Sequence, residues 1–151
     1  MNYSRKEVNK RILVVDDEED VLDFLKIFLE SLGWEATIIS STAEAFQILE
    51  QQTFFLVLTD IAMPEMDGYE FISRIKEKGI PSQLALMTGF GYNPKHTLVK
   101  IYKTNRYPCL FKPFNRGKVS EAVQQAWNQY HADLLPPGEI SAQNRGPVPP
   151  A

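Results

Sequence analysis

The chain has 151 residues, 44% of them hydrophobic and 23% charged, with a formal net charge of −3. That describes one globular domain with its own core, and the acidic balance leaves no basic footprint for nucleic acid or an anionic membrane. The single cysteine, Cys109, excludes an internal disulfide and a multi-cysteine metal centre. Met1 to Arg11 lacks a secretory apolar run, and no stretch approaches the roughly 20 apolar residues of a membrane span, so a cytoplasmic protein is expected.

Ile12–Val15 is a short β-branched apolar run bounded by charge and reads as a buried strand. After Asp16 and Asp17, Val21, Leu25, Phe28 and Leu32 recur at helical spacing, and Gly33 supplies the stop. Glu35–Ile39 reads as a second strand nearer the sheet edge. Ser41 with Glu44 forms a capping-box pattern for a helix to about Gln51. Phe54–Leu58 is a third buried strand ending at Thr59–Asp60, followed by a helix from about Met66 to Lys78 that buries Tyr69, Ile72 and Ile75. Gln83–Met87 makes a fourth strand, stopped by Thr88–Gly89. Asn93–Pro94 then opens a thinly apolar helix carrying Leu98, Ile101 and Tyr102. Cys109–Phe111 is a short fifth strand, and Asn115 caps a last helix with the stripe Val119, Ala122, Val123, Ala126 and Tyr130.

Five strands alternating with five helices through short connections predict an α/β fold, a doubly wound parallel sheet covered on both faces. From about Leu134 the prolines and glycines leave too little apolar content for a core, which predicts a flexible extended tail.

In such open sheets ligands gather outside the carboxyl ends of the strands. Asp16 and Asp17 follow the first strand, Asp60 the third, Thr88 the fourth and Lys112 the fifth. Singly, each has a bland reading: helix cap, loop residue, strand end, solvated turn. Together they bring three carboxylates, a hydroxyl and an ammonium to one edge. Three close anions need protons or a cation, and an all-oxygen donor set favours Mg²⁺, which completes its shell with water and phosphate oxygens. A carboxylate is also a nucleophile towards phosphorus, giving an acyl phosphate. Lys112 would supply positive charge to the phosphoryl oxygens and Thr88 a hydrogen bond.

At this point the sequence resembles the response-regulator receiver family of two-component signalling. The resemblance is carried by Ile12–Glu19 (ILVVDDEE), Leu58–Gly68 (LTDIAMPEMDG), Met87–Gly91 (MTGFG) and Phe111–Phe114 (FKPF). It covers roughly residues 10 to 131, so the expected organisation is a 1–9 extension, a 10–131 receiver domain and a 132–151 Pro-rich tail. The resemblance implies a flavodoxin-like fold with strand order 2-1-3-4-5. It implies Asp60 as phosphoacceptor, Asp16, Asp17, Asp60 and the Ala62 backbone carbonyl as Mg²⁺ ligands, Thr88 as the switch hydroxyl and Lys112 as the phosphate-binding lysine. It implies a sensor histidine kinase or histidine phosphotransfer protein as donor. A downstream protein would bind on the face of the fourth helix, fifth strand and fifth helix.

The sequence departs from the family in two places. Cys109 stands three residues before the lysine, where receivers usually carry Tyr or Phe, and Tyr107 is out of register. The approach to the fifth strand is Thr104–Pro108 (TNRYP) rather than the usual Gly-Ala. Ala62 and Phe90 are an apolar pair at positions that in the family influence hydrolysis, and the resemblance then implies a phosphorylated lifetime longer than that of fast-cycling chemotaxis-type receivers. Two rival readings remain: a degenerate receiver acting as a phosphate-independent interaction domain, which Cys109 favours, and a Mg²⁺-dependent phosphohydrolase of haloacid-dehalogenase type. The latter needs an acid two positions after the nucleophile, where this chain has Ala62. No enzymatic turnover is expected beyond self-phosphorylation and autodephosphorylation. His96 and His131 read as exposed helix positions, and Trp34 and Trp127 as packing residues.

Overall fold

The computed structural model describes residues 9–63, 66, 68–89 and 107–134, with Tyr69 described in its backbone alone. Within them the chain runs β1 (Arg11–Val15), α1 (Glu19–Ser31), β2 (Glu35–Ile39), α2 (Thr42–Gln51), β3 (Leu56–Asp60), α3 (Gly68–Glu77), β4 (Gln83–Thr88), β5 (Cys109–Phe111) and α4 (Arg116–Leu134). All neighbouring strands pair in parallel, in the order β2-β1-β3-β4-β5. This is the sheet order that the resemblance implies. The thin helix expected around Leu98–Tyr102, Phe90, His96, the Tyr69 side chain, residues 1–8 and residues 135–151 lie outside the described residues.

The strands look uniformly apolar because each face of the sheet has its own cover. Along β1, Ile12 and Val14 point into one core with Leu22, Leu25 and Leu29 of α1 and Val119, Val123 and Trp127 of α4. Leu13 and Val15 point into the other, with Ala45 and Leu49 of α2 and Phe71, Ile72 and Ile75 of α3. A two-residue period with both phases buried reads in sequence as a continuous run.

The helix ends follow local chemistry. Ser41 Oγ accepts the Glu44 N–H at 3.4 Å, and Asn115 Oδ1 accepts the Lys118 N–H at 3.1 Å, each satisfying an otherwise orphaned donor. Gly33 takes φ 96° just past α1, the left-handed conformation that ends a helix at low cost when no Cβ is present. The expected stripe of α1, Val21, Leu25, Phe28 and Leu32, packs against the core, and Leu22 and Leu29 complete the buried face. The residues buried within the helix are Leu22, Leu25 and Leu29, while Val21, Phe28 and Leu32 are only half-buried. The helix carries two apolar faces, one for the sheet and one along which Phe24 stacks with Phe28 and Phe114, at centroid distances of 5.8 and 6.3 Å.

Trp34 and Phe55, which precede β2 and β3, meet Trp127 of α4 with centroids 5.0–5.3 Å apart. This aromatic cluster sits at the amino end of the sheet. Both tryptophans are packing residues, 4% exposed. His131 is not the exposed residue expected; it is half-buried, its ring centroid 4.1 Å from that of Trp127.

Candidate functional site

The opposite, carboxyl edge of the sheet collects the chemistry. The parallel register pairs Val15 with Thr59, Asp60 with Met87 and Thr88 with Phe111. The residues that end or follow these strands are therefore brought to one level. Asp16, Asp60 and Thr88 are all buried there, whereas Asp17 is exposed.

Asp16 and Asp60 are held in the same way. Asp16 Oδ1 accepts the Glu18 N–H at 2.9 Å, and Asp60 Oδ1 accepts the Ala62 N–H at 2.8 Å. Each is an aspartate turn, with the carboxylate tied to the backbone two residues on. The other oxygen of each faces Lys112, whose Nζ is 2.7 Å from Asp16 Oδ2 and 2.9 Å from Asp60 Oδ2. The lysine is positioned by its backbone, since Lys112 N–H donates to the Thr88 carbonyl at 2.7 Å. Gly68 lies against the phosphoacceptor candidate's own backbone: a Cβ there would sit 2.7 Å from the Asp60 carbonyl oxygen and the Ile61 Cα.

Burial and charge set the protonation of this group. Desolvation pushes the Asp16 carboxyl up to about 6; Lys112 and the Glu18 N–H offset part of this, and the Asp60 charge adds to it. Burial opposes the Lys112 ammonium, but the flanking Asp16 and Asp60 carboxylates outweigh it and hold its pKa above the ordinary lysine value. Cys109 is half-buried, and desolvation pushes its thiol up to about 11. With half-buried Tyr107 it packs against the core on the α2–α3 side. Its neighbour Phe111 is 62% exposed.

Asp16, Asp17, Glu18 and Asp60 each present an oxygen, all within 4.8 Å of one another. Asp16 Oδ2 is buried, and its close contact among the described residues is the Lys112 ammonium at 2.7 Å. A hard divalent cation fits this set: all donors are oxygen, and four carboxylates share a single nearby ammonium, Lys112. Sequence reasoning brought Asp16, Asp17, Asp60, Thr88 and Lys112 to this edge, and they are here. It missed Glu18, whose Oε1 is 3.4 Å from Lys112 Nζ. The signal was its place directly after the acidic pair. Ala62 contributes its N–H to Asp60, and its side chain is exposed.

A doubly wound parallel sheet with carboxylates and a lysine converging beyond its carboxyl ends defines the class of this domain. Residues 12–124 match the response regulator receiver domain family, and the chain belongs to that family of two-component signalling proteins. It is 46% identical over 116 residues to an uncharacterized 14.6 kDa protein in the sodA1 3′ region of Leptolyngbya boryana, covering 76% of this chain and 87% of that one. It is 41% identical over 116 residues to the response regulator receiver protein CpdR of Brucella abortus, covering 74% and 92%. Among solved structures it resembles the beryllofluoride-activated NtrC4 receiver domain dimer, at 32% identity and TM-score 0.71, covering 80% of this chain and 98% of that one. No described helix is long and apolar enough to cross a membrane.

Proposed function

We propose that Asp60 is the phosphoacceptor of a phosphorelay switch. The observation that carries this is a buried carboxylate at the end of the central strand, 2.9 Å from a lysine ammonium and inside a four-carboxylate cluster. One Asp60 oxygen attacks phosphorus as the bond from phosphorus to the donor breaks and the donor leaves with the electron pair. Lys112 then pairs with the phosphoryl oxygens in place of the bare carboxylates, and the Thr88 hydroxyl donates to one of them. Asp16, Asp17, Asp60 and the Ala62 carbonyl would hold Mg²⁺, which when bound would neutralise charge on the transferred group.

The donor is a sensor histidine kinase or a histidine phosphotransfer protein, as the family implies. The output is altered binding of a partner protein on the face that includes β5 and α4, where exposed Phe111 offers an anchor. Ala62 and Phe90, at the two positions that in the family influence hydrolysis, are both apolar in sequence and supply no side chain to orient a water, which favours a long-lived acyl phosphate. No turnover of an external substrate is proposed. A phosphate-independent interaction domain is the second reading, favoured by Cys109 where a switching ring is expected.

Incubation with acetyl phosphate and Mg²⁺ tests the proposal by intact mass. Wild type gains one phosphoryl group and Asp60→Asn gains none; no gain in wild type favours the second reading. Loss of the label within seconds would overturn the long lifetime.

A further inference from the structure

Glu18 stands at the N-cap of α1, yet its side chain makes no capping hydrogen bond. Its N–H is fixed to Asp16, and its carboxylate, 60% exposed, reaches across the cleft to Lys112 at 3.4 Å. The same cleft is lined by Val21, Phe24, Gly89, Lys112 and Phe114. Glu18 is therefore a solvent-facing negative charge at the mouth of the site, beside the ammonium that phosphoryl oxygens must reach.

We propose that Glu18 is a donor-selecting residue: it disfavours dianionic phosphodonors relative to donors that reach the site with less negative charge. The inference rests on Asp60 being the phosphoacceptor. A group close enough to touch Lys112 lies within a few ångströms of an incoming phosphoryl group, and repulsion at that range scales with the donor's charge. Acetyl phosphate reaches the site as a dianion, and acetate leaves when the P–O bond breaks. Phosphoramidate reaches it as a monoanion carrying its own ammonium, and ammonia leaves when the P–N bond breaks. In both, the new bond is between an Asp60 oxygen and phosphorus.

The experiment compares labelling rates of wild type and Glu18→Gln with each donor, at low and high salt, with Mg²⁺ raised until each rate is constant. Glu18→Gln should accelerate acetyl phosphate labelling about three- to tenfold at low salt and phosphoramidate labelling clearly less. High salt should shrink the difference. Glu18→Lys should widen the gap between the donors further. An unchanged ratio of the two rates, or equal acceleration with both donors, would overturn the proposal, because a merely structural effect on the site would not sort donors by charge. Asp60→Asn is the control. If wild type takes label from neither donor, the acceptor reading itself fails, and this inference falls with it.

Discussion

Lys112 lies between two buried carboxylates that are each already tied to a backbone N–H, so its charge compensates theirs when no cation is bound. Removing it leaves those carboxylates uncompensated, and Lys112→Ala should destabilise the metal-free protein by about 3 kcal/mol, with most of the loss recovered by Mg²⁺. Urea unfolding with EDTA or Mg²⁺ measures both. Asp16 gives a pH dependence of defined sign. Its folded pKa is raised from 3.8 to about 6, so the folded state holds a proton that the unfolded chain releases. This group's contribution is therefore most favourable below about pH 4 and is lost as pH rises through about 6. In EDTA, Asp16→Asn should gain stability over wild type from pH 4 to pH 7.5, and a gap that does not change with pH would refute this. Cys109 makes a third test. A thiol raised from 9.0 to about 11 by burial carries about a hundredfold less thiolate, so alkylation at neutral pH should be slow until urea unfolds the chain. At this scale the aspartates and the lysine were readable from their places after strands. Glu18 was not, because one acid within Asp16–Glu19 looks like another until the turn at Asp16 aims it.

Among the elements, α3 starts directly against the site. It begins at Gly68, whose N–H donates to the Ile61 carbonyl at 2.8 Å and whose Cα faces the Asp60 backbone. Gly68→Ala must push the helix and the β3 end apart, at about 1–3 kcal/mol. Because the displaced backbone carries Asp60, labelling should slow as well, and both changes are measurable on one preparation. The strands were legible because apolar runs of that length between charges have few other uses. The burial face of α1 was legible in part. A helix that packs on a sheet and also stacks Phe24 on Phe114 has two overlapping apolar stripes, so spacing found Leu25 and its half-buried neighbours Val21, Phe28 and Leu32 but not the deeper Leu22 and Leu29. On α3, Phe71 rather than a residue of the expected stripe makes the 4.9 Å edge contact with Phe46 of α2.

Taken whole, the molecule separates its tasks by sheet edge, with aromatic packing at the amino end and charge at the carboxyl end. Trp127 anchors the first, 4% exposed, with its Nε1 lacking a partner among the described residues. Trp127→Ala should cost about 3–5 kcal/mol through the cavity it leaves. Trp127→Phe should cost much less, because it removes the unpaired donor along with the lost volume. Denaturant midpoints of the two variants decide the matter. β5 joins the two ends of the functional argument in three residues: Leu110 is buried, Phe111 is exposed, and Lys112 follows directly in the carboxylate cluster. Such proximity has a reciprocal consequence. If occupancy of Asp60 changes how tightly a protein grips Phe111, that protein must change the equilibrium phosphorylation of Asp60 by the same factor. The listener on this strand is then also a governor of the signal, and its concentration sets how much phosphate the domain retains.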